Sequence, residues 1–204
     1  LDQVPAAHPV AEALVNAGHE LASHSHTHPY NLSRLGQARI VEEVSRAREA
    51  IGAVRGKDVV GFRAPGYVIN DTVLDALSGS GYRYDTSLFP CPPYYVAKAA
   101  IMGLMRLQGR RSESILDAPS VMWAKTEPHR RRGVIEFPVT VLPFARLPFI
   151  GTSLLMMGRR GYDVIRPWLS QRRFVNLEFH GIDLCDLEAD RIDPVLSKQP
   201  DLRV

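Results

Sequence analysis

A chain of 204 residues with 45% hydrophobic and 23% charged residues has the composition of an ordinary globular domain, long enough to bury one core. Its 25 Lys and Arg against 22 Asp and Glu leave a formal charge of +3, which argues against a nucleic-acid partner. Two distant cysteines, Cys91 and Cys185, exclude a disulfide framework and a thiolate metal site.

The first predicted element is a helix from Val10 to Ala17, stopped by Gly18. Residues Gly18 to Ser23 read as a turn feeding a short strand, with His24 at its end. Ser33 is expected to cap a long helix running to Val54. Its apolar positions Leu35, Ile40, Val44, Ala47, Ile51 and Val54 follow a three-four repeat, and Gly56 ends it. Asp58 to Arg63 is a β-run closed by Pro65 and Gly66. A helix follows from Asp71 to Leu77, broken at Gly79-Ser80-Gly81, and Tyr82 to Tyr84 forms the next strand with Asp85 at its end.

Residues 90 to 133 interrupt this rhythm with Pro90-Cys91-Pro92-Pro93 and an apolar helix from Val96 to Leu107. They read as an insertion packed over the domain. The sharper alternative is an amphipathic lid beside basic residues, with peripheral membrane contact through 96–111. The runs Arg110-Arg111, His129-Arg130-Arg131-Arg132, Arg159-Arg160 and Arg172-Arg173 read mainly as solvated faces. Val134 to Val139 restores a strand, a second apolar helix lies around Leu154 to Met157, and Leu177 to Gly181 reads as a strand end.

Strand and helix alternation predicts a parallel α/β architecture, in which reactive residues gather at the carboxyl ends of strands. His24, Arg63, Asp85 and His180 all fall at such ends. His24 and His28, four residues apart in His24-Ser25-His26-Thr27-His28, are candidate metal ligands because neutral imidazole is a common donor for zinc. A solvated histidine loop is the bland reading of the same cluster.

Taken in order, HSHTH, Arg63-Ala64-Pro65-Gly66-Tyr67 and Leu177-Glu178-Phe179-His180-Gly181 resemble the motifs of the polysaccharide deacetylase family, the NodB homology domain of carbohydrate esterase family 4. The resemblance implies a distorted, incomplete (β/α) TIM-like barrel spanning 1–204 as a single domain. It implies a metal-dependent hydrolase removing N-acetyl or O-acetyl groups from a polysaccharide or glycolipid sugar. His24 and His28 would hold Zn2+ or another divalent first-row metal, and Ser25 would support their turn. His180 would be the general acid, Arg63 would orient a catalytic carboxylate, and Asp85 would hold His180. Leu177 and Tyr67 would shape the substrate pocket.

The family begins with a strand ending in paired aspartates, one a base and one a metal ligand. Before His24 this chain offers the lone Asp2. The expectation is therefore an internal portion of a longer deacetylase. Two alternatives stand beside it: a catalytically impaired carbohydrate-binding relic, and an amidase or deformylase acting on a non-polymeric amide. The chain shows no signal peptide and no apolar run of bilayer length, which leaves cytoplasm and cell envelope both open.

Overall fold

Ile40, Val44 and Ala47 recur along one face of a helix and bury it, with α1 (Pro9–Asn16) preceding and α2 (Gln37–Gly52) carrying the stripe. That face packs on α3 (Asp71–Gly79), whose Val73, Leu74, Ala76 and Leu77 are also buried. Phe62, Tyr82 and Val134 join the same apolar cluster. The Tyr82 hydroxyl donates to the Val44 carbonyl (2.8 Å), so its one polar atom is satisfied inside the core. The computed structural model describes residues 9–54, 58–186 and 189–191. The expected helix stop at Gly56 and the lone Asp2 lie outside the described residues.

β1 (Gly61–Phe62), β2 (Tyr84–Asp85), β3 (His129–Arg131) and β4 (Val134–Glu136) form a sheet in the order β1-β2-β4-β3. The first three in that order run parallel, with Gly61 opposite Tyr84 and Asp85 opposite Glu136. β3 pairs antiparallel with β4. α3 supplies the crossover that two parallel neighbours require. Ser23 extends the sheet beyond β1 through an isolated parallel bridge to Phe62. The result is a mixed α/β fold built on a small, open sheet.

Several local expectations shift. The helix expected from Ser33 begins at Gln37, and Ser33 sits in a separate 3-10 turn, Leu32–Arg34. Its carbonyl accepts from the Asn70 side chain (2.7 Å). The run His129-Arg130-Arg131-Arg132, expected as a solvated loop, contributes its first three residues to an edge strand. Arg132 (φ 52°) and Gly133 (φ 86°) are both left-handed, the backbone of a two-residue hairpin turn, and this folds β3 onto β4. The arginines on that edge discourage further pairing. The short helix expected around Leu154 is α5 (Gly151–Leu169), interrupted at Gly158 (φ 62°). The expected strand end at Leu177–Gly181 is not a strand; residues 177–180 form an irregular run pinned by Thr140 N to Asn176 O (3.0 Å) and Gly151 N to Glu178 O (2.6 Å), and Gly181 starts a 3-10 turn.

Candidate active site

His24 directly follows the Ser23 bridge to β1, which places its ring beside the residue that leaves that strand. Its Nδ1 lies 2.7 Å from the Arg63 carbonyl oxygen. A carbonyl only accepts, so Nδ1 carries the proton and Nε2 keeps its lone pair. Burial lowers the pKa of His24 and outweighs the opposing effect of that bond; the nearby charges of His28, Arg63 and His180 push the same way as burial. The ring is thereby held neutral, the form that binds a metal.

The loop after His24 is bent by two residues in the left-handed region, Ser25 (φ 66°) and His28 (φ 58°). Ser25 Oγ accepts from the His28 amide (3.1 Å). The buried Glu43 of α2 accepts from the His26 amide (3.2 Å), the Thr27 amide (2.8 Å) and the Thr27 hydroxyl (2.7 Å), and it pairs with Arg39 (2.9 Å). A carboxylate with that many donors can hold a strained backbone in place. The outcome is that the His24 and His28 rings stand edge to face, centroids 4.9 Å apart.

Arg63 is half-enclosed and satisfied on several sides. Its Nε donates to the Thr86 hydroxyl (2.9 Å) and its Nη2 to Asn176 Oδ1 (3.0 Å). Its Nη1 lies 3.4 Å from Glu178 Oε1. That same carboxylate oxygen is 3.9 Å from His180 Nε2, while His180 Nδ1 is 3.8 Å from Asp183. The His180 amide donates to Asp183 (2.8 Å), which fixes the start of the turn Gly181–Leu184.

These groups share one cleft of about 320 Å³, lined among others by His24, His28, Arg63, Tyr67, Glu178 and His180. Tyr94 and Lys98, from α4 (Pro92–Leu107), close one side. Lys98 donates to the Gly66 carbonyl (3.3 Å), and burial lowers its pKa. Tyr67 has a left-handed backbone (φ 64°) and is largely buried against Phe89 and Tyr94, so it packs the wall as well as facing the cleft.

Two residues named from the sequence lie elsewhere. Leu177 is not part of the cleft wall. Asp85, expected to hold His180, is buried and accepts from the Ser87 amide (2.9 Å) and hydroxyl (2.6 Å). It faces Glu136, its partner in the parallel register of β2 and β4. The carboxylates near His180 are instead Glu178 and Asp183. Glu178 stood two places before His180 in the quoted motif, and its signal was an ionisable residue in an otherwise apolar run.

Zinc needs about four donors, and a histidine pair with one nitrogen oriented by a carbonyl fits two of them. Among the described residues, no group of three or more His, Cys, Asp or Glu side chains is placed to hold a metal ion. Also among them, no helix is long and apolar enough to cross a membrane.

Residues 3–84 match the family model for polysaccharide deacetylase. The chain is 32% identical over 77 residues to the peptidoglycan deacetylase-like protein FGM2 of Gibberella zeae, covering 38% of this chain and 22% of that one. A family 4 carbohydrate esterase from Streptomyces lividans, solved in complex with acetate, is 31% identical over 40% of this chain and 42% of its own, with a TM-score of 0.36. A Mycobacterium smegmatis protein assigned as a polysaccharide deacetylase is 18% identical, covering 83% of this chain and 51% of its own, with a TM-score of 0.48. The match therefore spans about a fifth of the curated relative and about half or less of each solved structure.

Proposed function

This chain is related to the polysaccharide deacetylases through residues 3–84, and from that relation we propose that its cleft removes acetyl groups from the sugars of a polysaccharide or glycolipid, N-acetyl groups foremost. The observation that carries the proposal is convergence. The histidine pair, Arg63 and His180 come from segments distant in the chain and line one cleft. In this reading the open parallel sheet is the arc of an incomplete (β/α) barrel, with the cleft beyond the ends of β1 and the Ser23 bridge.

His24 and His28 are the residues that would hold zinc or another divalent first-row metal. Such an ion, when bound, would polarise an acyl oxygen and lower the pKa of water. As the oxygen of water bonds to the acyl carbon and its proton passes to solvent, His180 delivers a proton to the departing nitrogen and the carbon–nitrogen bond breaks, leaving acetate and a free amino sugar. Glu178 faces the imidazole and is itself positioned by Arg63, a carboxylate–histidine arrangement that orients the ring. Tyr67 bounds the space left for the sugar.

The test is acetate release from N-acetylglucosamine oligomers and from peptidoglycan, measured with the zinc-supplied protein. Wild type is expected to release acetate, and His180→Gln is expected to lower the rate about 10²–10⁴-fold. No acetate from either substrate, or an unchanged rate in the variant, would overturn the proposal.

A further inference from the structure

α4 begins in the core and then leaves it. Tyr95 is its buried residue, seated with Leu88 and Val121, and from Val96 onward no α4 side chain is buried. Val96, Ile101, Leu104 and Leu107 are 65%, 60%, 57% and 87% exposed. At about 100° per residue, these four share an arc of roughly 140°. Tyr94, Tyr95, Lys98, Met102 and Met105 occupy the other side, the one turned toward the protein and the cleft. A surface helix ordinarily shows solvent its polar face. Here the outward face is the apolar one.

The segment that carries this face has formal charge of one sign. No Asp or Glu occurs between Asp85 and Glu113, while Lys98, Arg106, Arg110 and Arg111 all lie in that interval. Lys98 turns inward to the cleft, but Arg106, Arg110 and Arg111 stand at the carboxyl end of an apolar strip that is exposed among the described residues. The stretch from Val96 to Leu107 is about 18 Å long, well short of the roughly 30 Å of a bilayer core. A strip of this kind suits the plane of a membrane rather than a crossing of it.

From the outward apolar arc and the acid-free basic flank, we infer that α4 docks this protein on an anionic lipid bilayer. Tyr94 and Lys98, on the opposite side of the same helix, line the cleft, so docking holds the cleft within one helix diameter of the membrane surface. α5 adds a second element of the same kind beside Ile150, another cleft residue. Its Met156 and Val164 are exposed, and Arg159, Arg160 and Arg166 outnumber its one acid, Asp163. The inference is independent of what the cleft hydrolyses, because its readout is partition rather than turnover.

The experiment is co-sedimentation of the purified chain with vesicles of phosphatidylglycerol in phosphatidylcholine, and with phosphatidylcholine alone. Binding is expected to the phosphatidylglycerol vesicles and to weaken with added salt. The double variants Ile101→Asp with Leu104→Asp, and Arg110→Glu with Arg111→Glu, are each expected to reduce it about tenfold or more. All four side chains are at the surface, and circular dichroism confirms that each variant keeps its fold. Absence of wild-type binding, or equal binding by the Asp variant, overturns the inference. So does a stable dimer, seen by light scattering, that the Asp variant dissociates without any vesicle binding; a second copy would then be what covers the strip.

Discussion

A half-buried guanidinium is costly unless its hydrogens and its charge are met, and Arg63 meets both through Thr86, Asn176 and Glu178. Glu178 thereby sits beside His180, where a carboxylate can orient an imidazole. His24 shows the same economy. One short bond to the Arg63 carbonyl sets its tautomer, and burial keeps it uncharged. The expected consequence is that zinc added to metal-free protein binds through this pair. His24→Ala should weaken that binding by about 10–100-fold or more, measured by titration calorimetry. Equal affinity in the variant would remove the histidine pair from the metal site.

Among the elements, α3 is held at its start by a residue that does two jobs. Asn70 Oδ1 accepts from the Val73 amide (3.0 Å), capping the helix, while its Nδ2 donates to the Ser33 carbonyl (2.7 Å). Asn70→Ala should therefore lower stability by about 0.5–2 kcal/mol, toward the upper end because the Ser33 carbonyl also loses its donor. Urea unfolding followed by circular dichroism reads this directly, and a midpoint unchanged from wild type would deny the cap its role. The helices themselves were legible in the sequence, because a three-four apolar repeat records burial of one face. Their exact starts were less so. Ser33 and Asn70 are both good caps by residue type, and only the packing of the 3-10 turn against α3 decides that Asn70 caps while Ser33 offers its carbonyl.

For the whole molecule, the buried Asp85–Glu136 pair sets a dependence of stability on pH. Burial, then the charge of Asp85, raises the pKa of Glu136 well above the usual carboxylate range; burial raises Asp85 and Asp117 as well. Burial, together with the charge that each carboxylate sets against the other, favours a protonated form of the pair. A carboxyl whose folded pKa is raised binds more protons folded than unfolded. Its contribution is complete below the unfolded value of about 4.3 and is lost as pH climbs through the folded value. Thermal melts should thus show stability declining from about pH 5 into the alkaline range. Glu136→Gln, which removes the ionisable group from the pair, should flatten that decline. A wild-type slope of the opposite sign would mean that the pair is not proton-sharing.

The sequence by itself determined the helices, the parallel order of strand and helix, and the motif residues His24, His28, Arg63, Tyr67 and His180. Each of these is written in local spacing, in residue chemistry, or in an ordered set of motifs. It did not determine which carboxylate stands beside which base. Asp85 and Glu178 are equally acidic on paper. The short β2 turns Asp85 inward against Glu136, and the irregular run after Asn176 carries Glu178 to Arg63 and His180. The antiparallel edge strand His129–Arg131 and the outward apolar face of α4 were likewise settled by tertiary structure. Pairing and exposure are through-space properties. Desolvation and charge act over a few ångströms between segments distant in the chain, and no periodicity within either segment encodes them.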